Sequence, residues 1–241
     1  MNLKSAVMKK PALLLLTTFV ILMTFANLPL NPSDVKWEEG YNFDKCNVFS
    51  LEFYAKDNEL MRTSSIKTYY QSDGENFMVK MIGEGSGTGM ETVIDKKNEV
   101  AIQIIGTGGG ATPMYNAGGY KYPPEEELKK LELIPTEETR QILGFSCKKY
   151  TYTYKKIFGE VWLTDQVTLP NDIGVFRACK MAALHNTLSV PGFVMEMTTE
   201  DAKGGKTLMK TVSLQNAEKY TVDLNGVEMS TAINKVNYFS F

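Results

Sequence analysis

Short segments of alternating apolar and polar residues run along most of this sequence, and turn residues separate them. Phe49, Leu51 and Phe53 point to one side of an extended chain, with polar residues between them. The sequence DAKGG separates two such segments, at 193–200 and 206–215, in the manner of a hairpin turn. Strands joined by tight turns are antiparallel. The pattern predicts six to ten antiparallel strands in a mainly β fold.

The stretch ILGFSCKKYTYTYKK shows how one strand can expose two different apolar faces. Three tyrosines occupy the even positions from 150 to 154, so they share one face of a strand. Phe145 and Cys147 occupy odd positions and would lie on the opposite face. A bulge near Lys148 would reconcile the two halves. The stretch is therefore predicted to form one strand of a long hairpin, with structural aromatic residues.

Two segments favour helices, and one favours a long loop. Residues 123–135 begin with proline and carry acidic residues in the first turn, which is typical of a helix start. In residues 174–186, Val175 and Cys179 would share a helix face with small alanines. Residues 106–119, rich in glycine, form the longest stretch without a pattern, and a loop of this length is usually functional or disordered.

The N-terminus has the features of a secretory signal peptide. A basic start precedes an apolar run, and small residues allow cleavage after Ala26. The alternative is an uncleaved membrane anchor, although the run is short for one. We therefore predict a signal peptide over 1–26, a polar lead-in over 27–47 and a single domain over 48–241. The protein is expected to be exported, to the periplasm or the outer cell envelope.

The sequence offers little for catalysis, metals or nucleic acid. A zinc site would need the single histidine, His185, together with all three cysteines. The sequence GGKT at 204–207 lacks the earlier glycine of a phosphate loop, because position 200 is Glu200. The net charge of −2 gives no electrostatic footprint for nucleic acid. We expect a protein that is not an enzyme and has no catalytic residues, metal or cofactor.

Three motifs resemble an uncharacterised secreted bacterial family of unknown function, related to GLPGLI-type proteins. They are TEETRQILGFSCKKYTYTY, GEVWLTDQVTLP and SVPGFVMEMTTE. Pro191-Gly192-Phe193 stands where the related proteins have Pro-Gly-Leu. The resemblance covers about Val48 to Gln215, and its motifs belong to strands rather than to a catalytic site.

The resemblance implies a fold of the lipoprotein-carrier (LolA-like) superfamily. That fold is mainly β (α+β), a strongly curved antiparallel sheet forming an open half-barrel with one or two helices over the concave face. Relatives in the superfamily bind acyl chains there. The implied function is binding of a lipid-like or other hydrophobic ligand. The alternative is a structural or protein-interaction module of the cell envelope, with a filled core and an envelope protein as its partner.

If the half-barrel is a carrier, its pocket should lie between the concave face and the helix at 174–186. The side chains expected nearest a ligand are Phe176, Met181, Phe193, Met195 and Met197. The last three share one side of a strand. Methionine adapts to irregular apolar shapes, but simple core packing explains the same pattern.

An odd cysteine count allows one disulfide and one remaining thiol. The predicted pair is Cys147–Cys179, because both residues lie on faces that should look into the interior between sheet and helix. Two buried free thiols are the alternative, since a bridge requires Cα atoms within about 7 Å of each other.

Overall fold

The computed structural model describes residues 35–72, 75–83, 89–107, 112–123, 128–169, 174–178, 187–215 and 219–231. This part of the chain is mainly β, with one short helix, α1 (Gly174–Ala178). The strands are β1 (Gly40–Phe43), β2 (Lys45–Tyr54), β3 (Leu60–Tyr70), β4 (Phe77–Gly83), β5 (Gly89–Asp95), β6 (Val100–Thr107), β7 (Met114–Gly119), β8 (Lys130–Leu131), β9 (Leu133–Ile142), β10 (Phe145–Tyr154), β11 (Ile157–Thr164), β12 (Thr187–Leu188), β13 (Phe193–Asp201), β14 (Lys206–Gln215), β15 (Tyr220–Asp223) and β16 (Met229–Ser230).

Twelve of the described strands form one large curved sheet that does not close into a barrel. Its order is β16-β7-β6-β5-β4-β3-β2-β14-β13-β11-β10-β9, and every neighbouring pair is antiparallel except β16–β7. The sheet contains two runs of neighbouring strands: one is β2 to β7, and the other consists of β9, β10, β11, β13 and β14. The pairing of β2 with β14 joins them. Two small sheets, β1–β15 and β8–β12, complete the described part of the fold.

Apolar side chains pack on both faces of the large sheet. The main core contains Phe49, Leu51 and Ile66, together with residues of α1 and β13. The second core includes Cys46 and Val93 on the large sheet. Alternation along a strand sends neighbouring side chains to opposite faces, which is why strands covered on both sides are apolar at nearly every position.

The small sheet β1–β15 covers the second core and is held there by two tyrosines. The Tyr41 hydroxyl on β1 donates to Asp95 Oδ2 at 2.8 Å. The Tyr220 hydroxyl on β15 lies 2.9 Å from each carboxylate oxygen of Glu91. Both carboxylates belong to β5 and are almost completely buried. Buried carboxylates need such donors, because an unpaired buried charge is very costly. The pairs therefore fix the small sheet against the large one.

The predicted bulge near Lys148 is confirmed. The register between β10 and β9 shifts between Lys148 and Tyr150. The predicted hairpins β3–β4, β5–β6, β10–β11 and β13–β14 are present as well.

The helix predicted over 123–135 is wrong for the residues that the structure describes there. Lys130–Leu131 is strand β8, and β9 begins at Leu133. Leu131 and Leu133 are buried while Glu132 between them is exposed, so the local period is two rather than that of a helix. The acidic residues 125–127 that suggested a helix start lie outside the described residues.

Three further expectations differ from the structure. The predicted lead-in at 27–47 contains β1 and the start of β2. The predicted loop at 106–119 contains β7, which pairs with β6 along its whole length. Glycine and proline are unfavourable within strands, so the sequence of this segment did not predict β7. The fold is mainly β rather than clearly α+β, and α1 is its one described helix.

Alkaline pH should weaken the attachment of the small sheet. Burial, reinforced by nearby carboxylates, raises the pKa of Tyr41 and of Tyr220 above the ordinary value of 10.0. Below pH 10 both the folded and the unfolded state keep the phenolic proton, so the stabilisation is fully present. Above pH 10 the unfolded state loses this proton first, so the free energy of unfolding should fall as pH rises towards the folded pKa, by up to about 1.4 kcal/mol per pH unit for each tyrosine.

Urea denaturation of the wild-type protein and of Tyr41→Phe, between pH 8 and pH 11, measures this effect. The variant should be less stable at pH 8, because Asp95 loses a donor, and its stability should fall less steeply above pH 10. An unchanged slope in the variant would show that Tyr41 is not protected from ionisation.

Candidate functional site

Four of the five side chains predicted to lie near a ligand come together in the main core. Phe176 on α1 and Phe193, Met195 and Met197 on β13 are each no more than 3% exposed. The fifth, Met181, lies outside the described residues.

Phe49 on β2 links the helix to β13 within this group. Its ring centroid lies 5.2 Å from that of Phe176 and 6.3 Å from that of Phe193, distances typical of packed aromatic pairs. The space between α1 and the sheet, where the sequence predicted a ligand, is therefore occupied by these side chains. Their use by a ligand stays a prediction.

An open cleft lies elsewhere, at one end of the contact between β2 and β14. Its volume is about 780 Å³, within the range of small-molecule sites. The turn between β9 and β10, the segment 166–169 and the end of β14 form its walls. Its apolar lining consists of Leu143, Phe145, Val167, Leu169, Val212 and Leu214.

Local backbone features turn two of these apolar side chains towards solvent. Leu143 and Gly144 have φ of +50° and +84°, the paired positive angles of a tight two-residue hairpin turn. Leucine is unusual at such an angle. On β14, the register with β2 shifts between Thr211 and Ser213, which singles out Val212. As a result Leu143 is 50% exposed and Val212 is 47% exposed.

The cleft is continuous with the main core. Leu169 belongs to both, and Phe145, Val167 and Leu214 pack against the core from the cleft side. A ligand in the cleft would therefore contact side chains that the fold already holds in place. Apolar surface that stays exposed at such a site often marks a place of binding.

The lining also has a polar part. It consists of Lys45, Gln166, Thr168 and Ser213, with Cys46 beside them. Among the described residues that line the cleft, Lys45 alone carries a charge. The Gln166 side-chain oxygen is engaged, because it accepts a hydrogen bond from the Ser146 backbone N–H at 2.7 Å. The cleft thus combines an apolar wall with one cation and several neutral polar groups.

Two buried polar groups lie behind the cleft. Leu214, in its wall, is the β-ladder partner of Asn47, which in turn pairs with Thr68. Both polar side chains are 0% exposed. Asn47 Oδ1 accepts a hydrogen bond from the Tyr70 hydroxyl at 2.9 Å, but Asn47 Nδ2 and Thr68 Oγ1 have no hydrogen-bond partner within the described part of the chain. An unsatisfied buried group of this kind costs about 1–3 kcal/mol, and a charge beside it would cost far more.

Cys147 is a buried free thiol in the described part of the chain. Its Sγ lies 3.4 Å from the carbonyl oxygen of Phe145, which it approaches as a weak donor. Burial raises the pKa of this thiol above its usual range. The other half of the predicted pair, Cys179, lies outside the described residues. Cys147 lies within the main core, and its pairing with Cys179 stays a prediction.

Other kinds of site have little support in the described residues. Within these ranges no group of three or more histidine, cysteine, aspartate or glutamate side chains is placed to hold a metal ion. His185, the single histidine of the sequence, lies outside them. A search of the described helical residues finds no segment with the length and hydropathy of a membrane span.

Comparison with known proteins gives weak likenesses only. No family model matches the chain, and no curated protein matches it. Among solved structures, it is similar to PNGF-II in a C2 crystal form, at 16% identity and a TM-score of 0.37, over 78% of this chain. The chain spans only 31% of the length of that protein.

Two other similar structures match over most of their own length. One is a DUF1329 family protein from Desulfovibrio piger, with 11% identity and a TM-score of 0.30 over 77% of this chain and 88% of the other. The second is a LolA superfamily protein from Nitrosomonas europaea, with 9% identity and a TM-score of 0.31 over 78% and 91%. TM-scores this low do not support a conclusion about function.

The cleft was not predicted from the sequence, although two signals pointed to it. A leucine stands at the tip of a tight turn, at Leu143, where polar residues and glycine are usual. Val212 breaks the alternation of β14, since Thr211 is buried and Val212 is exposed. Both signals are apolar residues in places where the local pattern expects polar ones.

The burial of Cys147 predicts slow reaction with thiol reagents. The reactive form is the thiolate, and both the raised pKa and the lack of access oppose its attack on iodoacetamide. We expect alkylation of Cys147 in the native protein at pH 8 to be at least about tenfold slower than in urea.

Peptide mapping by mass spectrometry reads this residue separately from the other two cysteines. Equal rates in the native and unfolded protein would contradict the buried position. Recovery of a disulfide-linked Cys147–Cys179 peptide from a non-reducing digest would confirm the predicted pairing.

Proposed function

We propose that this protein binds a single-chain amphipathic lipid, such as a fatty acid, in the cleft, and that it does so without catalysis. The observation that carries the proposal is the cleft itself, a space of about 780 Å³ with an apolar wall in which Leu143 and Val212 are half exposed. Exposed apolar side chains facing one cavity are costly unless something covers them. An acyl chain would cover both.

The expected affinity follows from the apolar contact. Each buried methylene contributes roughly 0.8 kcal/mol, so ten methylenes would contribute on the order of 8 kcal/mol. Immobilising the ligand offsets part of this gain. A dissociation constant in the micromolar range corresponds to about 8 kcal/mol of net binding, so a chain of more than ten carbons is the expected ligand.

Lys45 is the group that would hold an anionic head. It lines the cleft as its one described charge and is partly exposed to solvent. Asn47 and Thr68, behind the wall of the cleft, are completely buried and do not line it, so a charge on that side would have no access to water. The ligand would therefore lie with its head at Lys45 and its chain along the apolar wall towards Leu169.

The proposed location is the periplasm or the outer cell envelope. The predicted signal peptide at 1–26 supports export, and the resemblance to secreted proteins with a LolA-like fold supports a role in holding acyl chains. The open curved sheet is consistent with the half-barrel that this resemblance implies.

A charge placed in the cleft tests the proposal. Val212→Asp should weaken binding of a fluorescent fatty acid at least about tenfold, since the acyl chain would have to desolvate a carboxylate. Val212 is half exposed, so the variant should keep the circular dichroism spectrum of the wild type. Ile82→Asp is the matched control, because Ile82 is 42% exposed but does not line the cleft.

A second variant separates the head from the chain. Lys45→Gln should weaken the binding of the fatty acid more than the binding of a fatty alcohol of the same length. Wild-type protein that takes up neither probe, or a Val212→Asp variant that binds as well as the Ile82→Asp control, would refute the proposal.

An interaction module of the envelope is the second candidate. The observation in its favour is β9, which is mostly exposed and lies at the end of the described sheet with β10 as its one partner. Such an edge can add a strand from another chain. The packed main core also agrees with a protein that needs no ligand. Wild-type protein that binds no fatty acid and yields no lipid on extraction would favour this candidate.

A further inference from the structure

A second groove, of about 450 Å³, lies on the face of β9, β10, β11, β13 and β14 that carries Lys149 and Glu160. One row of its side chains follows the β-ladder across four strands. The row is Ile134, Thr151, Glu160 and Thr198, each the direct partner of the next. Neighbouring strands lie about 4.8 Å apart, so this row is roughly 14 Å long.

A second row runs beside the first, two residues further along the strands. It consists of Thr153, Phe158, Glu200 and Lys206, again each paired with the next. The two rows are separated by about 7 Å, the distance between alternate residues of a strand. Together they form a long shallow groove across five strands, which suits a short linear oligomer better than a compact molecule.

The charges in the groove are close to balanced. The Glu160 carboxylate pairs with Lys149 Nζ at 2.9 Å, and Glu200 lies opposite Lys206 in the ladder. Two carboxylates beside one lining lysine do not fit a polyanion such as nucleic acid. A fully apolar chain does not fit either, because three threonines, one tyrosine, two glutamates and one lysine line the groove. The balance favours an uncharged polar ligand.

Apolar surface accompanies these polar groups. Phe158 is 47% exposed and Ile134 is 63% exposed. Both lie on the groove side of their strands, away from the buried face of the sheet. Threonine hydroxyls donate and accept hydrogen bonds, and carboxylates accept them. An exposed aromatic side chain offers a large rigid contact surface. A pyranose has hydroxyl groups at its rim and C–H groups on its faces. A sugar therefore fits a site that places hydrogen-bonding side chains next to an exposed aromatic ring.

We propose that this groove binds a short neutral oligosaccharide. Phe158 supplies the apolar contact to a sugar ring, and Glu200 and the threonines bind its hydroxyls. The site is separate from the lipid cleft and shares no lining residue with it. The proposal therefore stands or fails independently of the proposed lipid binding.

Saturation-transfer NMR of the full chain against maltotetraose, cellotetraose, chitotetraose and mannotetraose tests the proposal. At least one should bind, and Phe158→Ala should weaken it at least about tenfold, a loss that corresponds to about 1.4 kcal/mol. Glu200→Gln keeps the size of the side chain and removes its charge. It should weaken the binding of the same sugar without changing the binding of the fatty-acid probe.

Leu60→Ala serves as the control, since Leu60 is also 50% exposed but lies outside the groove. Binding of none of the four sugars would overturn the proposal. So would binding that Phe158→Ala leaves unchanged, or binding that Leu60→Ala weakens equally. A preference for an extended peptide over all four sugars would show that the groove is a protein-docking surface instead.

Discussion

The pairing of β2 with β14 is the constraint on which the rest of the structure depends. β2 pairs with β3, its neighbour in sequence, on one side and with β14 on the other. Across this contact Lys210 Nζ lies 3.3 Å from Glu52 Oε1, although the two residues are 158 positions apart. Bringing such distant segments together has an entropic cost, which the apolar side chains of both strands offset by entering one core. Without this contact the two runs of strands would be separate sheets.

The same contact creates the proposed ligand site. Lys45 begins β2 and Val212 lies near the end of β14, so the cleft opens where the two runs of strands meet. The register shift next to Val212 turns an apolar side chain outward at this place. The second core is closed by different means, since Tyr41 and Tyr220 anchor a small sheet to buried carboxylates. The small sheet therefore covers the second core, whereas the main core continues into the open cleft.

Alternation predicted the strands well because each local pattern matched the face that becomes buried. It located the bulge at Lys148 from a change of parity alone. The helix prediction over 123–135 rested on the proline and the acidic residues instead of on alternation, and it is wrong at Leu131 and Leu133, which belong to strands. The four described residues of the predicted site lie together in the main core, and their contact with a ligand stays a prediction. The cleft escaped prediction because it depends on which distant segments meet, and no local pattern records that Leu143 and Val212 line one cavity.

Photo-crosslinking with a fatty acid that carries a diazirine at its chain end tests the central claim most directly. The protein is irradiated with bound probe, digested, and the labelled peptides are identified by mass spectrometry. We predict labels within 143–145, 166–169 and 212–214, the segments that supply the apolar wall of the cleft. Labels confined to Phe193–Met197 would contradict it, because the chain would then enter the main core, and a complete lack of saturable labelling would exclude the lipid altogether.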